Sequence, residues 1–214
     1  MKLQIALDHT SLEQALPVAI AVAPYVDIIE LGTPLIKTAG LYGLRVIRSC
    51  FPNHLIVADL KTMDAGEYEA TPFFEAGANI VTVLGAADFS TIKGTIKAAR
   101  PYGKMAQVDL INVSNKIDLF EILADTGAHI VGIHTGIDQQ LAGMTPFKDL
   151  SELTMYRITH DLNIQISLAG GIKAATLEYI KPPLPDIVVV GGAITSASNP
   201  VAAVKEIRNI IDKM

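Results

Sequence analysis

Eight short β-branched runs, each followed by an amphipathic stretch, constrain this chain more than any other feature. The runs are LQIALD (3–8), DIIELG (27–32), LIVADLK (55–61), IVTVLG (80–85), MAQVDLI (105–111), HIVGIHTG (129–136), IQISLAGG (164–171) and DIVVVGG (186–192). Between them apolar residues recur with a period near 3.6, as in SLEQALPVAIAVAPY and NPVAAVKEIRNIIDKM. Strands that alternate with helices must run parallel, and eight such units in 214 residues take about 27 each. The arrangement predicts an α/β fold: a (β/α)8 TIM barrel of eight parallel strands with outer helices, near the small end of that fold's size range. An open doubly wound sheet would place a glycine-rich turn after the first strand, where this chain has ALDHTSLE. No linker or low-complexity tract divides the sequence, so 1–214 reads as a single barrel domain.

Half of the residues are apolar, which suits a parallel sheet buried on both faces. No apolar run approaches the roughly 18 residues of a membrane span, and Asp8 comes too early for the apolar core of a signal peptide. A cytoplasmic protein is expected. The net charge of −5 and the scatter of the 17 basic residues argue against nucleic-acid binding. Cys50 is the only cysteine, which excludes an intrachain disulfide and a thiolate zinc site. Its spacing in RVIRSCF predicts a packed small hydrophobe.

In a barrel the active site lies at the C-terminal ends of the strands. Those ends read Asp8, Glu30 with Gly32, Asp59 with Lys61, Gly85, Asp109, His134, Gly170 with Gly171, and Gly191 with Gly192. Five of the eight carry an ionisable group, although only 18% of the chain is charged. Taken singly, each acid is as well explained by a satisfied turn or helix cap; taken together they point to a site. Asp59 and Lys61 stand two apart on a strand, so both face the barrel mouth if Leu60 faces the helices.

Asp8, Glu30, Asp59 and Asp109 around one lysine would leave excess negative charge in a partly buried place. A hard divalent cation would compensate, and without a His/Cys cluster the expectation is magnesium, which accepts one or two carboxylates and completes its shell with water and substrate. The paired glycines 170–171 and 191–192 end the seventh and eighth strands, where barrels bind phosphate on bare backbone N–H groups. They predict a phosphorylated substrate. His134 closes the sixth strand and is the candidate acid/base, while His9, His54, His129 and His160 fall in loops or at strand starts and receive no role.

The stretches LQIALD, DIIELGTPLI, ADLKTMDAG, VTVLGAAD, VDLI, HTGIDQQ, AGGI and VVVGGAI, in this order along the whole chain, resemble the 3-hexulose-6-phosphate synthase family of the orotidine 5′-monophosphate decarboxylase suprafamily. The Asp-x-Lys-x-x-Asp spacing of Asp59, Lys61 and Asp64 is that suprafamily's mark. The resemblance implies a reversible aldol reaction of D-ribulose 5-phosphate with formaldehyde, giving D-arabino-3-hexulose 6-phosphate through a magnesium-stabilised enediolate. It implies Glu30 and Asp59 as magnesium ligands, Lys61 as stabiliser of the enediolate, and a homodimer in which Asp64 reaches the neighbouring subunit's site. His134 is then the expected base with Asp109 as helper or substitute, and Asp8 holds Lys61 or binds a substrate hydroxyl. A phosphohexuloisomerase is the expected pathway partner.

The 3-keto-L-gulonate 6-phosphate decarboxylase family is similar but has an arginine three residues after its strand-six histidine and another at the phosphate site, after the last glycine of its strand eight. Here those positions are Ile137 and Gly192, and Asp109 stands where a glutamate is typical. Orotidine monophosphate decarboxylase uses no metal and places a lysine before the motif, and the metal-ligand histidines of ribulose-phosphate 3-epimerase are absent. A non-catalytic phosphosugar-binding barrel should have lost strand-end acids or the lysine, and none is missing.

Overall fold

The computed structural model describes residues 1–180 and 182–214. Eight parallel strands close into a barrel in sequence order, with the last hydrogen-bonded to the first. They are β1 Lys2–Leu7, β2 Ile28–Leu31, β3 Leu55–Thr62, β4 Ile80–Leu84, β5 Met105–Asp109, β6 Ile130–His134, β7 Gln165–Ala169 and β8 Ile187–Val190. The helices are α1 Leu12–Val22, α2 Thr33–Cys50, α3 Gly66–Glu75, α4 Phe89–Ala99, α5 Lys116–Thr126, α6 Ile137–Leu141, α7 Phe147–Thr159, α8 Gly192–Thr195 and α9 Pro200–Ile211.

Local chemistry sets several boundaries. The Ser11 side chain accepts the Gln14 N–H to start α1, Asn115 accepts the Asp118 N–H to start α5, and Asn199 accepts the Ala202 N–H ahead of Pro200 to start α9. The seventh crossover departs from the expected pattern, because only a 3-10 segment, Ala174–Tyr179, follows β7. Pro182, Pro183 and Pro185 come next in the sequence, and a residue before proline is driven out of the helical region.

Two apolar layers hold the barrel. Outward residues such as Leu3, Ile5, Leu7, Val81 and Val83 pack beneath the helices. Inside, Ile28, Ile80, Ile130 and Ile187 of the even strands form a plug with Val57 and Val189. Each fully buried isoleucine contributes on the order of 2 kcal/mol. Above the plug the inward residues turn polar, beginning with Gln4, Gln107 and Ser167, all of them buried. The plug therefore closes one end and leaves the polar end open for chemistry.

Cys50 does not pack as expected. It ends α2 and is exposed, because the buried face of that helix runs through Leu44 and Ile47 instead.

Candidate active site

The open end holds a cavity of about 590 Å³, lined by Asp8, Glu30, Asp59, Lys61, Asp109, His134 and all four glycines of the paired sets. The strand-end acids, Lys61, His134 and the paired glycines all lie here, and Asp64 does not. That side chain is exposed just past β3, where it accepts the Ala65 N–H at 2.7 Å and lines a separate shallow depression with Glu67, Tyr68 and Ser90.

A bulge in β3 brings the central groups inward. Ala58 pairs with Val81 and Thr62 with Val83, so four steps along β3 meet two along β4. Lys61 takes up the excess with a left-handed backbone (φ +48°) and donates its N–H to Thr82 Oγ1 at 2.9 Å. A non-glycine residue held this way marks stored strain at a functional position. Leu60 packs against the outer core, so Asp59 and Lys61 share the inner face.

Lys61 Nζ donates to Asp59 Oδ1 and Oδ2 at 2.9 and 2.7 Å and lies 3.0 Å from Asp109 Oδ2. Asp59 also accepts Thr82 Oγ1–H at 2.8 Å and Thr33 Oγ1–H at 2.7 Å. Asp109 Oδ2 lies 2.8 Å from His134 Nδ1, and its Oδ1 accepts the Ile111 N–H at 2.9 Å. Gln4 Nε2 donates to Glu30 Oε2 at 2.6 Å. Asp8 forms no ion pair with Lys61. Its carboxylate lies between the second and eighth strands, so close to Gly32 that any side chain there would collide with it. No direct contact with Lys61 supports the first of the two expected roles for Asp8.

The charges are unevenly compensated. Burial would raise the Asp109 carboxyl, but the His134 bond, Lys61 and the Ile111 N–H hold it down to about 2. An ionised Asp109 can only accept, so His134 Nδ1 donates to it, which turns Nε2 toward the cavity's chemistry as the second ring nitrogen. Burial would lower the Lys61 ammonium, yet Asp59, Asp109 and Glu30 outweigh it and push it upward. Glu30 is raised well above the usual carboxylate range by burial and then by Asp59 and Asp8, and Asp8 is raised by burial and then by Asp59.

That surplus of negative charge suits a divalent cation. Glu30 uses only Oε2 in its bond to Gln4, so Oε1 remains to ligate beside Asp59. Among the described residues no three His, Cys, Asp or Glu side chains form a metal-ligating group. Glu30 and Asp59 are thus the residues that could hold a cation such as magnesium, which takes one or two carboxylates and fills its other positions with water and substrate.

At the opposite side of the cavity Gly170 has φ +108° and lies against the Thr135 backbone, which leaves no room for a Cβ. Bare backbone there is a requirement of the packing. Sequence reasoning passed over Thr33, Thr82, Gln4, Gln107, Ser167 and Lys173, all of which line the cavity or bond to its acids. The four inward strand residues alternate with outward apolar ones, a signal that could have found Gln4, Thr82, Gln107 and Ser167.

Residues 1–207 match the Orotidine 5'-phosphate decarboxylase / HUMPS family. The 3-hexulose-6-phosphate synthase of Methylomonas aminofaciens is 51% identical over 207 residues, covering 97% of each chain. A crystal structure of 3-hexulose-6-phosphate synthase from Salmonella typhimurium superposes with a TM-score of 0.95 at 38% identity, covering 100% of this chain and 99% of that one. A 3-keto-L-gulonate-6-phosphate decarboxylase from Vibrio cholerae superposes at 0.86 with 31% identity, covering 99% of this chain and 97% of that one. With the family matched over nearly its whole length and the strand-end acids and lysine gathered in one cavity, the chain belongs to the orotidine 5'-phosphate decarboxylase / HUMPS family.

Proposed function

We propose that the protein is an aldehyde-lyase that reversibly condenses D-ribulose 5-phosphate with formaldehyde to D-arabino-3-hexulose 6-phosphate. The observation that carries this reading is the contact chain Asp59–Lys61–Asp109–His134 inside one cavity. It couples a fixed cation to an imidazole whose Nδ1 is held by Asp109. The 51% identity to a 3-hexulose-6-phosphate synthase supports the same chemistry.

The ketose phosphate lies with its phosphate toward Gly170, Gly171, Gly191 and Gly192 and its C1–C2 end over Lys61. His134 Nε2 removes a C1 proton, the C–H electron pair becomes the C1–C2 double bond, and the C2 oxygen takes on negative charge. The Lys61 ammonium faces that oxygen, and burial strengthens the attraction over its value in water. C1 of the enediolate then bonds to the formaldehyde carbon, the C2 carbonyl re-forms, and the former formaldehyde oxygen takes the proton from His134. Asp109 holds the imidazole in one tautomer throughout. Magnesium, for which we propose Glu30 and Asp59 as ligands, would supply Lewis-acid charge at the substrate oxygens. Asp8 is positioned to accept a substrate hydroxyl.

The decarboxylase reading is weaker at one place the cavity makes concrete. Ile137 lines its rim and carries no charge with which to assist protonation.

We further propose a homodimer, because Asp64 and Tyr68 are exposed beside the mouth yet outside their own cavity. We propose a cytoplasmic setting, because a phosphorylated substrate does not cross a bilayer unaided. Among the described residues no helix is long and apolar enough to span one. A phosphohexuloisomerase is the proposed consumer of the product.

The first half-reaction can be tested without formaldehyde. In D2O the protein is expected to exchange C1 hydrogen of ribulose 5-phosphate for deuterium, and His134→Gln is expected to slow this by about a hundredfold or more. Undiminished exchange in a folded His134→Gln protein would remove His134 as the base.

A further inference from the structure

The cavity is lined by four carboxylates, Asp8, Glu30, Asp59 and Asp109, and among its described lining residues only Lys61 and Lys173 carry a fixed positive charge. Lys61 is committed, with its ammonium within 3.0 Å of both Asp59 and Asp109. Among the described residues Lys173 has no carboxylate within ion-pair distance; the paired lysines are 61, 97, 116 and 148. It lies two residues past Gly171, on the side of the cavity formed by the paired glycines.

The backbone around Lys173 is pinned. Ile172 before it is buried, and Thr176 Oγ1 accepts the Lys173 N–H at 2.9 Å and donates toward the Lys173 carbonyl at 3.0 Å. That N–H is therefore spent, and what the residue offers a ligand is its ammonium on a four-carbon stem. A phosphate carries between one and two negative charges at neutral pH. Backbone N–H groups alone would have to hold it against four carboxylates in the same cavity. Among the described residues that line the cavity, the uncommitted cation stands at the glycine end, far along the chain from the acids of the first five strands.

We infer that Lys173 is the cation that binds the substrate's phosphate, and so selects phosphorylated over unphosphorylated ketose. This rests on the reading of the cavity as a sugar-phosphate site. Lys173 does not touch the reacting carbons, so its loss should appear in binding and leave turnover almost intact.

The test uses the full-length protein and the variants Lys173→Gln and Lys173→Arg. The constant for competitive inhibition of C1 exchange by inorganic phosphate, and KM for ribulose 5-phosphate, are expected to rise about tenfold or more in Lys173→Gln, the scale of one charge-assisted hydrogen bond. The kcat should stay within about twofold, and Lys173→Arg should restore both constants, since a guanidinium also pairs with phosphate. Because exchange needs no formaldehyde, the same shift in a protein that consumes none would uphold Lys173 and contradict the aldol reading alone. If Lys173→Gln keeps the wild-type KM and inhibition constant, or if Lys173→Arg is as impaired as Lys173→Gln, the inference is overturned.

Discussion

Lys61→Ala is expected to lower kcat/KM for the condensation by about a thousandfold, the scale found when one preorganised donor to a developing oxyanion is removed. No other described cation contacts Asp59 or Asp109, so nothing nearby can substitute. The variant also leaves two buried carboxylates without their counter-ion, which costs on the order of 3 kcal/mol. Folding must therefore be followed separately by circular dichroism and thermal unfolding. The bulge supplies an internal control. Lys61 has φ +48°, a conformation that penalises alanine as much as lysine but is open to glycine. Lys61→Gly should be as inactive as Lys61→Ala yet more stable by about 1 kcal/mol. A folded Lys61→Ala protein with near wild-type activity would contradict the role assigned to the ammonium.

Glu30→Gln is expected to act in opposite directions on activity and on stability. Burial beside Asp59 and Asp8 raises the Glu30 carboxyl, so the folded chain holds that proton to higher pH than the unfolded chain does. Between the ordinary carboxylate range and the raised value the folded state binds more protons, and stability falls as pH rises through that window. Above it the penalty is fully present. The neutral amide keeps an oxygen to accept the Gln4 bond and removes the charge. The metal-free variant should thus unfold at a higher temperature than wild type at neutral pH, by about 2–4 °C for each kcal/mol of penalty removed in a chain of this size. Magnesium should raise the unfolding temperature of wild type and leave that of Glu30→Gln nearly unchanged. Activity should fall about a hundredfold with the lost ligand. A metal-free Glu30→Gln protein less stable than wild type, or one stabilised by magnesium to the same extent, would remove Glu30 from the ligand set.

The barrel was legible because strands buried on both faces must be apolar throughout and the helices between them on one face only. Each of the eight runs overlaps an observed strand. Their ends were less legible. HIVGIHTG reads as strand to 136, whereas β6 stops at His134 and α6 begins at Ile137. Apolar pattern does not mark the point where a backbone leaves the ladder to make a loop.

The strand-end acids, Lys61 and His134 could be read from position alone, since a barrel forces those ends together. What could not be read is how they pair. The bulge that turns Lys61 inward depends on a register slip against β4, a property of two strands at once. Thr33 and Thr82, which fix Asp59, look like ordinary β-branched or helix-start residues until the barrel closes. Cys50 was misread because RVIRSCF sets it three residues after buried Ile47, at apolar spacing, whereas it is the last residue of α2 and exposed there. The carboxylate of Asp64 resembles the other acids in sequence, and only the turn after β3, where it accepts the N–H of left-handed Ala65, shows how it stays outside its own cavity.

The central claim is the joining of one carbon to a phosphorylated pentulose in this cavity. The direct measurement is formaldehyde consumption by the protein with ribulose 5-phosphate and magnesium, repeated with a chelator, with the ketose phosphate product identified by mass. One formaldehyde consumed per ribulose 5-phosphate, a six-carbon ketose phosphate formed, and loss of both when magnesium is chelated are the predicted results. A folded, magnesium-supplied protein that consumes no formaldehyde would contradict the account.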